Sequence, residues 1–463
     1  MSGRGEIAVV LHAHMPYVEG YDTWPFGEEW LWEAAVHCYL PLADLLAAGP
    51  PLTLSLTPVL LDQLHAEGLS ARFRRFIEEV RARTFAADIR WLQERREGAA
   101  AEALERCWED RYLAAASRCR EPLVELRRLL LGAGTLTSAA THAVLPLLAS
   151  QALLRAQLRI GVETFRSRTG RSWDGGFWLP ECGYANWLQR ALGEEGVEYF
   201  CVQWPEGGGG DPVLRRPARL RGGPVAVPID RQAIDLVWGA TGYPSATAHC
   251  CTFRRTPHGH CAWAIDGSPY DPARARAVAR DQAAAYAREL QRRADGGALV
   301  VVAFDAELFG LWWHEGLWFL EALVEALSEG PARLVRLGEA AAVREAAVAQ
   351  RLPRCPCSWG RHGDLSTWSS ANGTVRTLAQ RARALELEVV GRGPAAGAVA
   401  LRQLLALQSS DWLYMIATDS AAPYGSARFR GHQRALERAL RGEPVEGPRD
   451  LAVSAAAAVL GEP

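Results

Sequence analysis

Two carboxylates in this sequence are each set among bulky aromatic and apolar residues. Glu181 lies in the stretch Phe177–Tyr184, and Asp305 lies in the stretch Ala303–Trp313. Two carboxylates that face each other across an aromatic-lined cleft can break and re-form glycosidic bonds. One of the two must stay protonated at neutral pH, and burial beside an aromatic ring raises a carboxyl pKa. The pair therefore predicts chemistry on a sugar polymer or oligosaccharide.

Three histidines follow predicted strands and accompany the carboxylates. His12 and His14 are one residue apart, so an extended segment points both imidazoles to the same face. His142 comes directly after another predicted strand. Such histidines can bind a metal ion or form hydrogen bonds with the hydroxyl groups of a substrate. The pattern alone leaves both roles open.

The metal role would make the protein a hydrolase such as a carbohydrate deacetylase, with His12, His14 and a carboxylate as ligands. A two-metal site bridged by a carbamylated lysine is excluded, because all 51 basic residues are arginine. Two further groups of histidine and cysteine, over His249–Cys261 and Cys355–Cys357, lack the spacing of zinc ligands. We therefore predict no zinc site at these two groups. Our preferred prediction is a site with neither a metal ion nor a cofactor, and the metal hydrolase stays an alternative.

Short apolar runs that alternate with helical segments must position these residues. Buried strands are predicted at Ile7–His12, Leu52–Thr57, Gly134–Ser138, Gly176–Leu179, Tyr199–Gln203 and Leu299–Phe304. Helices are predicted at Glu28–Leu46, Ala143–Phe165, Ala185–Gly193 and Leu317–Leu327. This alternation predicts an α/β fold with a parallel sheet. Because the candidate residues follow the carboxyl ends of strands, we favour a barrel over a doubly wound sheet.

The alternation is interrupted twice and then ends. Residues 66–130 have a charged, helical pattern and predict a helical insertion between barrel strands, and residues 205–270, rich in Gly, Pro and Arg, predict an elaborated loop region. Amphipathic helices are predicted further on at Val375–Leu387, Ala400–Ile416 and Gly425–Leu440. We therefore expect a catalytic barrel over residues 1–330 and a helical C-terminal domain over residues 331–463.

Composition narrows the class of protein. Hydrophobic residues make up 49% of the 463 residues and charged residues 22%, as in a globular protein with a large core. A formal net charge of −2 without long runs of one sign does not indicate nucleic-acid or membrane-surface binding. The sequence starts without a secretion-signal pattern, so we expect a cytoplasmic protein with reduced cysteines. Seventeen tryptophans suit stacking on sugar rings and equally suit a packed core.

Taken in order, these motifs resemble the five motif regions of glycoside hydrolase family 57. The motifs are His12-Ala13-His14-Met15-Pro16, Thr141-His142 with Leu145-Pro146, Trp178-Leu179-Pro180-Glu181-Cys182, Asp305-Ala306-Glu307-Leu308-Phe309-Gly310 and Ser358-Trp359-Gly360. Ser409-Ser410-Asp411-Trp412 is a further match. The resemblance covers nearly the whole chain, and within the family it is greatest for the 1,4-α-glucan branching type.

The resemblance implies a (β/α)7 barrel with a helical insertion and a C-terminal helical domain, and a retaining double displacement. Glu181 would be the nucleophile that forms a glycosyl-enzyme, and Asp305 would be the general acid/base. A water acceptor would give hydrolysis, whereas the 6-hydroxyl of a glucan would give a branch. The expected partner is an α-1,4-glucan such as amylose or a glycogen-like polymer, and we expect a monomer.

The resemblance also implies a set of substrate-binding residues. His12, His14 and His142 would hold the sugar next to the nucleophile. The glucan cleft would be lined by Trp24, Trp178, Trp238, Trp359, Trp368 and Asp411. Glu307 would either orient Asp305 or form a structural pair.

Two departures from the family pattern leave the outcome of the reaction open. Leu311 stands where the branching type usually has histidine, and residues 205–263 match poorly. In the family this region carries a loop whose tyrosine covers the active site, and Tyr243 is a candidate for it. An α-amylase-like hydrolase, a 4-α-glucanotransferase and a non-catalytic glucan-binding protein therefore remain alternatives.

Overall fold

The apolar runs of the sequence form strands of a single sheet. The computed structural model describes residues 4–21, 27–118, 134–205, 216–353, 356–448 and 451. In this part of the chain the strands are β1 (Glu6–Ala13), β2 (Thr53–Leu56), β3 (Gly134–Ser138), β4 (Gly176–Trp178), β5 (Tyr199–Val202), β6 (Ala218–Arg219), β7 (Val225–Pro228), β8 (Leu299–Asp305) and β9 (Arg333–Leu334). Their order in the sheet is β6-β7-β5-β4-β3-β2-β1-β8, and β9 pairs with β1.

Parallel strands form the wall of a distorted barrel. Strands β7, β5, β4, β3, β2, β1 and β8 are joined in parallel pairs, and only β6 pairs antiparallel, with β7. The backbone N–H of Asp230, just after β7, donates to the carbonyl of Val301 in β8 at 2.8 Å and so links the two ends of this row. All eight residues of β1 are buried, as in a parallel sheet covered on both faces. The predicted (β/α)7 fold class is confirmed.

Helices cover the barrel and build the rest of the chain. Among the described residues they span Glu28–Ala34, Leu40–Ala47, Pro58–Leu64, Leu69–Arg75, Ala82–Glu94, Gly98–Cys107, Ala114–Arg118, Gln151–Thr169, Leu188–Glu194, Arg231–Trp238, Pro272–Arg293, Gly316–Ser328, Ala341–Arg344, Ser366–Ser369, Gly373–Arg392, Ala398–Leu407, Ser410–Thr418 and Ala422–Leu440. Wider π-helical turns lie at Ala35–Tyr39, Phe76–Arg81 and Trp108–Leu113. No helix of the described chain is both long and apolar enough to cross a bilayer.

Two of the predicted helices are partly wrong: one begins later than predicted, and the other is interrupted. The helix predicted over Ala143–Phe165 begins only at Gln151, because the side chain of Ser150 caps its first turn by accepting from Leu153 N–H. The helix predicted over Ala400–Ile416 is two helices, separated at Gln408 and Ser409. Ser409 has an extended ψ of 133° and pairs as an isolated antiparallel bridge with Ala143. Both irregular segments therefore meet at the same place.

The C-terminal helices share an apolar core of their own. Residues such as Leu385, Leu404 and Leu436 pack together there and reach Ile160 on a barrel helix. The predicted insertion over residues 66–130 is helical from Leu69 to Arg118, and residues 119–133 lie outside the described chain. Strand β9 returns to β1 and Arg219 N–H donates to the carbonyl of Ala347, so residues 333–347 lie against the sheet. The domain boundary near residue 330 stays a prediction.

Candidate active site

The carboxyl ends of neighbouring strands bring the predicted residues together. His12 in β1 is in register with Asp305 in β8 and with Ser55 in β2. Glu181 follows β4, and His142 follows β3. The C-terminal region adds the start of the helix Ser410–Thr418, which reaches across to these strand ends. The site is therefore built by the barrel and by the C-terminal helices together.

Glu181 is held in an unusual backbone conformation. Its φ of 59° and ψ of 22° lie in the left-handed region, which non-glycine residues adopt rarely and mostly where surrounding contacts enforce it. Its carbonyl accepts from Trp359 N–H at 2.8 Å. Its Oε1 accepts a hydrogen bond from Ser410 Oγ at 2.8 Å and lies 3.8 Å from His142 Nδ1. The side chain is 19% exposed, so the carboxylate is fixed but still reaches the cleft.

His12 and His142 form a buried pair behind this carboxylate. Their Nε2 atoms are 3.0 Å apart, His12 Nδ1 lies 2.9 Å from Ser55 Oγ, and His142 Nδ1 lies 2.9 Å from Ser410 Oγ. The ring of His12 stacks on Trp178, with centroids 4.6 Å apart. Burial lowers the pKa of both histidines well below its usual range. Both are therefore neutral at pH 7 and can each accept one hydrogen bond and donate another.

His14 pairs with a carboxylate from the C-terminal region. Its Nε2 lies 2.9 Å from Asp411 Oδ2, and its Nδ1 lies 3.2 Å from Thr57 Oγ1. Burial by itself lowers the pKa of His14, but the charge and hydrogen bond of Asp411 turn the net shift upward. Burial likewise opposes ionisation of Asp411, but His14 holds its pKa well below the usual range. This hydrogen-bonded pair joins the segment after β1 to the helix Ser410–Thr418.

Asp305 and Glu307 are two buried acids with different surroundings. Burial raises the pKa of Asp305 to about 6 and that of Glu307 to about 7. Glu307 Oε1 accepts from the backbone N–H of His14 at 2.9 Å and from Tyr39 O–H at 2.5 Å. Tyr39 belongs to the π-helical turn Ala35–Tyr39, a kind of irregularity that often occurs at functional sites. These contacts support a structural role for Glu307 in fixing the segment that carries His14.

Glu181 and Asp305 share one electrostatic environment. Burial is the largest cause that raises the pKa of Glu181, which reaches about 8, and the charges of Asp411 and Asp305 add to it. The hydrogen bond from Ser410 acts in the opposite direction. Two acids that repel each other in a buried site hold a proton near neutral pH, and they titrate as a pair. The site therefore keeps one acid protonated beside one carboxylate, and the higher pKa of Glu181 places the shared proton on that residue.

Two of the predicted tryptophans lie beside the catalytic candidates. Trp178 is fully buried under His12, and Trp359 meets it edge-on with centroids 5.0 Å apart. The indole N–H of each is buried without a hydrogen-bond partner. Trp359 is half-buried and its own N–H donates to the Glu181 carbonyl, so its ring can contact a substrate bound at Glu181. Trp178 instead packs against His12.

The other predicted tryptophans are dispersed. Trp368 is 1% exposed and packs against Val144 and Leu365, with its ring 6.5 Å from that of Tyr414. Trp238 is 49% exposed and stacks on Trp312 rather than on any of the residues around Glu181. Trp24 lies outside the described residues.

Ser410 and Tyr414 are residues of the site that sequence reasoning did not select. Ser410 lies in the matched motif Ser409–Trp412, but nothing in the sequence indicates a role for its hydroxyl group. Tyr414 is 45% exposed, and after burial the charges of Glu181 and Asp305 are what raise its pKa. Tyr414 lies three residues after Asp411 and therefore on the same face of the helix. This spacing is the signal in the sequence that could have identified it.

Leu311 and Tyr243 have ordinary packing environments. Leu311 is half-buried against the main apolar core. Tyr243 packs its ring against Tyr286 and Phe319 on the outer helices, with centroids 6.0 and 5.6 Å away. This placement favours a packing role for Tyr243.

The site contains one group of side chains that could act as metal ligands, as the metal alternative requires. Ligand atoms of His14, His142 and Asp411 lie within 4.8 Å of one another, and they form the one such group in the described part of the chain. His12, which the alternative included, instead contacts Ser55 and His142. Because His14 and Asp411 already satisfy each other at 2.9 Å, the group is complete as a hydrogen-bonded cluster.

Comparison with known proteins places this chain in a family. The profile of glycosyl hydrolase family 57 matches residues 8–236, and that of the C-terminal domain of 1,4-alpha-glucan branching enzymes matches residues 369–442. A probable 1,4-alpha-glucan branching enzyme of Mycobacterium tuberculosis is 31% identical over 97% of this chain and 94% of that protein.

Solved structures agree on the architecture. The family 57 branching enzyme of Pyrococcus horikoshii is 27% identical, with a TM-score of 0.82 over 98% of this chain and 94% of that one. The alpha-amylase AmyC of Thermotoga maritima, 23% identical, shares the fold with a TM-score of 0.75 over 95% of this chain and 93% of that one. From its identity to the mycobacterial protein over nearly its whole length, the chain belongs to glycosyl hydrolase family 57.

Proposed function

We propose that this protein is a 1,4-α-glucan branching enzyme, which cleaves an α-1,4 linkage and transfers the released chain to a 6-hydroxyl group. The observation that carries the proposal is the hydrogen bond from Ser410 to Glu181. It comes from the region that matches the C-terminal domain of branching enzymes, so that domain contributes directly to the candidate nucleophile. The relatives named as branching enzymes cover nearly all of this chain.

In the proposed mechanism Glu181 attacks the anomeric carbon and forms a covalent glycosyl-enzyme. Asp305 donates a proton to the glycosidic oxygen, so that the leaving chain departs with a hydroxyl end. Asp305 then takes the proton of an incoming 6-hydroxyl as this oxygen attacks the anomeric carbon and displaces Glu181. The neutral His12 and His142 pair, together with His14 and its partner Asp411, orients the sugar beside Glu181.

The proton that the two acids share must lie on Asp305 before the reaction, and substrate binding has to favour that position. Of the two acids Glu181 has the higher pKa, whereas a nucleophile must be ionised. A glycosidic oxygen can only accept a hydrogen bond, so its binding favours the form in which Asp305 is protonated. Ser410, which donates to Glu181, favours the same form. We therefore infer that glucan binding moves the proton of the pair onto Asp305.

Incubation of the enzyme with amylose tests the proposal. Branching produces new α-1,6 linkages, detected after treatment with a debranching enzyme, without a matching increase in reducing ends. Reducing ends alone would indicate amylase-like hydrolysis, and altered chain lengths without α-1,6 linkages would indicate 4-α-glucanotransfer. If Glu181→Gln behaved like the wild-type protein, the enzymatic proposal would be wrong and a glucan-binding role would take its place.

The deacetylase alternative is favoured by one observation, the group of His14, His142 and Asp411. It predicts stoichiometric zinc in the purified protein and loss of activity with a chelator. Branching that is unaffected by a chelator excludes it. A cytoplasmic location, a role in glycogen synthesis and the monomeric state stay predictions.

A further inference from the structure

Two cysteines lie side by side at the neck of a surface loop. Cys250 and Cys261 flank the loop 251–260, and the neck is closed by a hydrogen bond from Cys251 N–H to the carbonyl of Trp263 at 2.8 Å. The two side chains pack in one small apolar cluster, and the Cys250 thiol donates a hydrogen bond to the Cys261 sulfur. Both are free cysteines. The two sulfur atoms are therefore in contact without being covalently joined.

The loop between the two cysteines is held against the helical insertion. Asp88, on the helix Ala82–Glu94, accepts a hydrogen bond from the hydroxyl of Thr256. Its carboxylate oxygens also lie 2.8 Å from His258 Nδ1 and 2.7 Å from His260 Nδ1. The loop and its neck are thus fixed in the folded protein, and a bond between the two sulfur atoms needs no unfolding.

The cysteine pair faces a cavity that a small molecule can enter. The cavity has a volume of about 530 Å³, and Cys250, Cys261 and Cys107 are among the residues that line it. Arg255 and His258 also line it and are exposed. A small oxidant can therefore reach the sulfur atoms from solvent.

The two thiols differ in acidity. The hydrogen bond from Cys250 is the largest cause that holds the pKa of Cys261 below its usual range, and the Arg255 guanidinium acts in the same direction against burial and the charge of Glu315. The same hydrogen bond, together with burial, raises the pKa of Cys250 well above its usual range. The thiolate is the nucleophilic form of cysteine. Cys261 is therefore the nucleophile of the pair, and Cys250 keeps its proton.

We propose that Cys250 and Cys261 form a modification site that reacts with hydroperoxides and closes to a reversible disulfide. The Cys261 thiolate attacks the terminal oxygen of the peroxide, the O–O bond breaks, and the sulfur is oxidised to a sulfenic acid while hydroxide or alkoxide leaves. The Cys250 sulfur then attacks the sulfenic sulfur, whose S–O bond breaks. The oxygen leaves as water with the proton of the Cys250 thiol, and exchange with an external thiol restores the pair.

Peptide mapping of the full-length protein after treatment with hydrogen peroxide tests this proposal. Trypsin cleaves after Arg254 and Arg255, between the two cysteines, so their disulfide joins two peptides that a reductant separates. We expect the joined peptides in the wild type and their loss in both Cys250→Ser and Cys261→Ser. Cys251 shares a peptide with Cys250, so Cys251→Ser is the matched control and should keep the joined peptides.

Trapping of the sulfenic acid tests the order of the two steps. In Cys250→Ser the sulfenic acid on Cys261 has no partner thiol, and a cyclic 1,3-dione should trap it about tenfold more than in the wild type. In Cys261→Ser, Cys250 should be oxidised about tenfold more slowly, because it lacks thiolate character. Circular dichroism before treatment checks that each variant is folded.

Three results would overturn the proposal. The first is a wild-type protein without joined peptides after excess peroxide, and the second is a disulfide that links Cys261 to Cys107 or Cys251 instead of Cys250. The third is equal oxidation of the remaining thiol in Cys250→Ser and Cys261→Ser, which would contradict the assignment of Cys261 as the nucleophile.

Discussion

At the residue scale, the hydroxyl group of Ser410 contacts two groups that are central to the proposed mechanism. Ser410 Oγ lies 2.8 Å from Glu181 Oε1 and 2.9 Å from His142 Nδ1, so it bridges the candidate nucleophile and the buried histidine pair. Ser409, its neighbour, instead donates to Asp411 Oδ2 at 2.5 Å. Two adjacent serines therefore have separate partners, and each can be replaced as a control for the other.

Ser410→Ala should slow catalysis most at low pH. The hydrogen bond from Ser410 lowers the pKa of Glu181, so its loss moves that pKa further up. A higher pKa leaves less ionised Glu181 at a given pH, and the acid limb of the kcat/KM profile should move to higher pH. We expect about a tenfold loss at pH 6, from a charged hydrogen bond of about 1.5 kcal/mol, and a smaller loss at pH 8.5. Ser410→Thr should stay near wild type, and an unshifted limb in Ser410→Ala would contradict the assignment.

Asp305→Asn should separate the two chemical steps. Turnover of amylose should fall by about 10²- to 10⁴-fold, because the leaving chain is no longer protonated. An aryl maltoside needs no such help, so the glycosyl-enzyme should still form and be detectable by mass spectrometry. The charge of Asp305 raises the pKa of Glu181, and the acid limb of this step should therefore move to lower pH. Equal loss with both substrates would argue against an acid role.

At the scale of elements, six of the nine described strands were predictable, and β6, β7 and β9 were not. Six strands were found from apolar runs, since strands buried on both faces are continuously apolar. Strand β7 (Val225–Pro228) was missed because it lies among glycine and proline, in a region whose composition is typical of loops. Strands β6 and β9 have only two residues each. The barrel was nevertheless inferred correctly, from the alternation and from the position of the motifs.

The two errors in helix prediction coincide with the active site. The segment before Gln151 and the break at Gln408 and Ser409 both have helical composition, yet Ala143 pairs with Ser409 and Ser410 N–H donates to the carbonyl of His142. Helix propensity is overridden at these positions because tertiary contacts there build a functional site. Glu181, Asp305 and the histidines could be found from motifs, but the Ser410 contact joins residues 229 positions apart and could not.

Gln157 should act as a positioning residue between these irregular segments. Its Nε2 donates to Thr141 Oγ1 and to Gln408 Oε1, both at 3.2 Å, and its Oε1 accepts from Thr141 N–H at 3.2 Å. Thr141 precedes His142, and Gln408 precedes the two serines. Gln157→Leu leaves buried polar groups unpaired, so we expect a loss of about 1–3 kcal/mol in unfolding free energy.

The same variant should reduce kcat about tenfold with an unchanged KM, because it displaces His142 and Ser410 without removing a substrate contact. Steady-state kinetics at several pH values, with denaturant unfolding, distinguish this from simple destabilisation. The exposed Gln151→Leu, on the same helix, should change neither quantity. A Gln157→Leu enzyme with wild-type kcat at a temperature where it is fully folded would rule out the positioning role.

At the scale of the whole molecule, a buried arginine holds the C-terminal helices to the barrel. Arg428 is 4% exposed, donates to the carbonyl of Tyr17, and lies over the rings of Tyr21 and Trp412 at 3.6 and 4.5 Å. Its Nη2 is also 3.1 Å from His432 Nε2. Tyr17 follows the segment of His14, so this contact supports the site from outside.

Arg428→Lys should destabilise the protein although it keeps the charge. A lysine ammonium cannot reproduce the planar fork or its stacking on two rings, and we expect a loss of about 2 kcal/mol. Thermal unfolding followed by calorimetry should show a lower midpoint, and activity should fall together with it. Arg430→Lys, at an exposed position two residues later, is the control and should leave the midpoint unchanged.

The separation of Glu181 and Ser410 along the chain also determines when the active site is completed during translation. Ser410 is made 229 residues after Glu181, which at about 5–20 residues per second takes roughly 10 to 50 s of translation. Until the helix Ser410–Thr418 has left the ribosome and docked, the nascent barrel has its carboxylates but neither Ser410 nor Asp411. We therefore expect the nascent barrel to act on glucan more slowly than the finished chain until its C-terminal helices have docked.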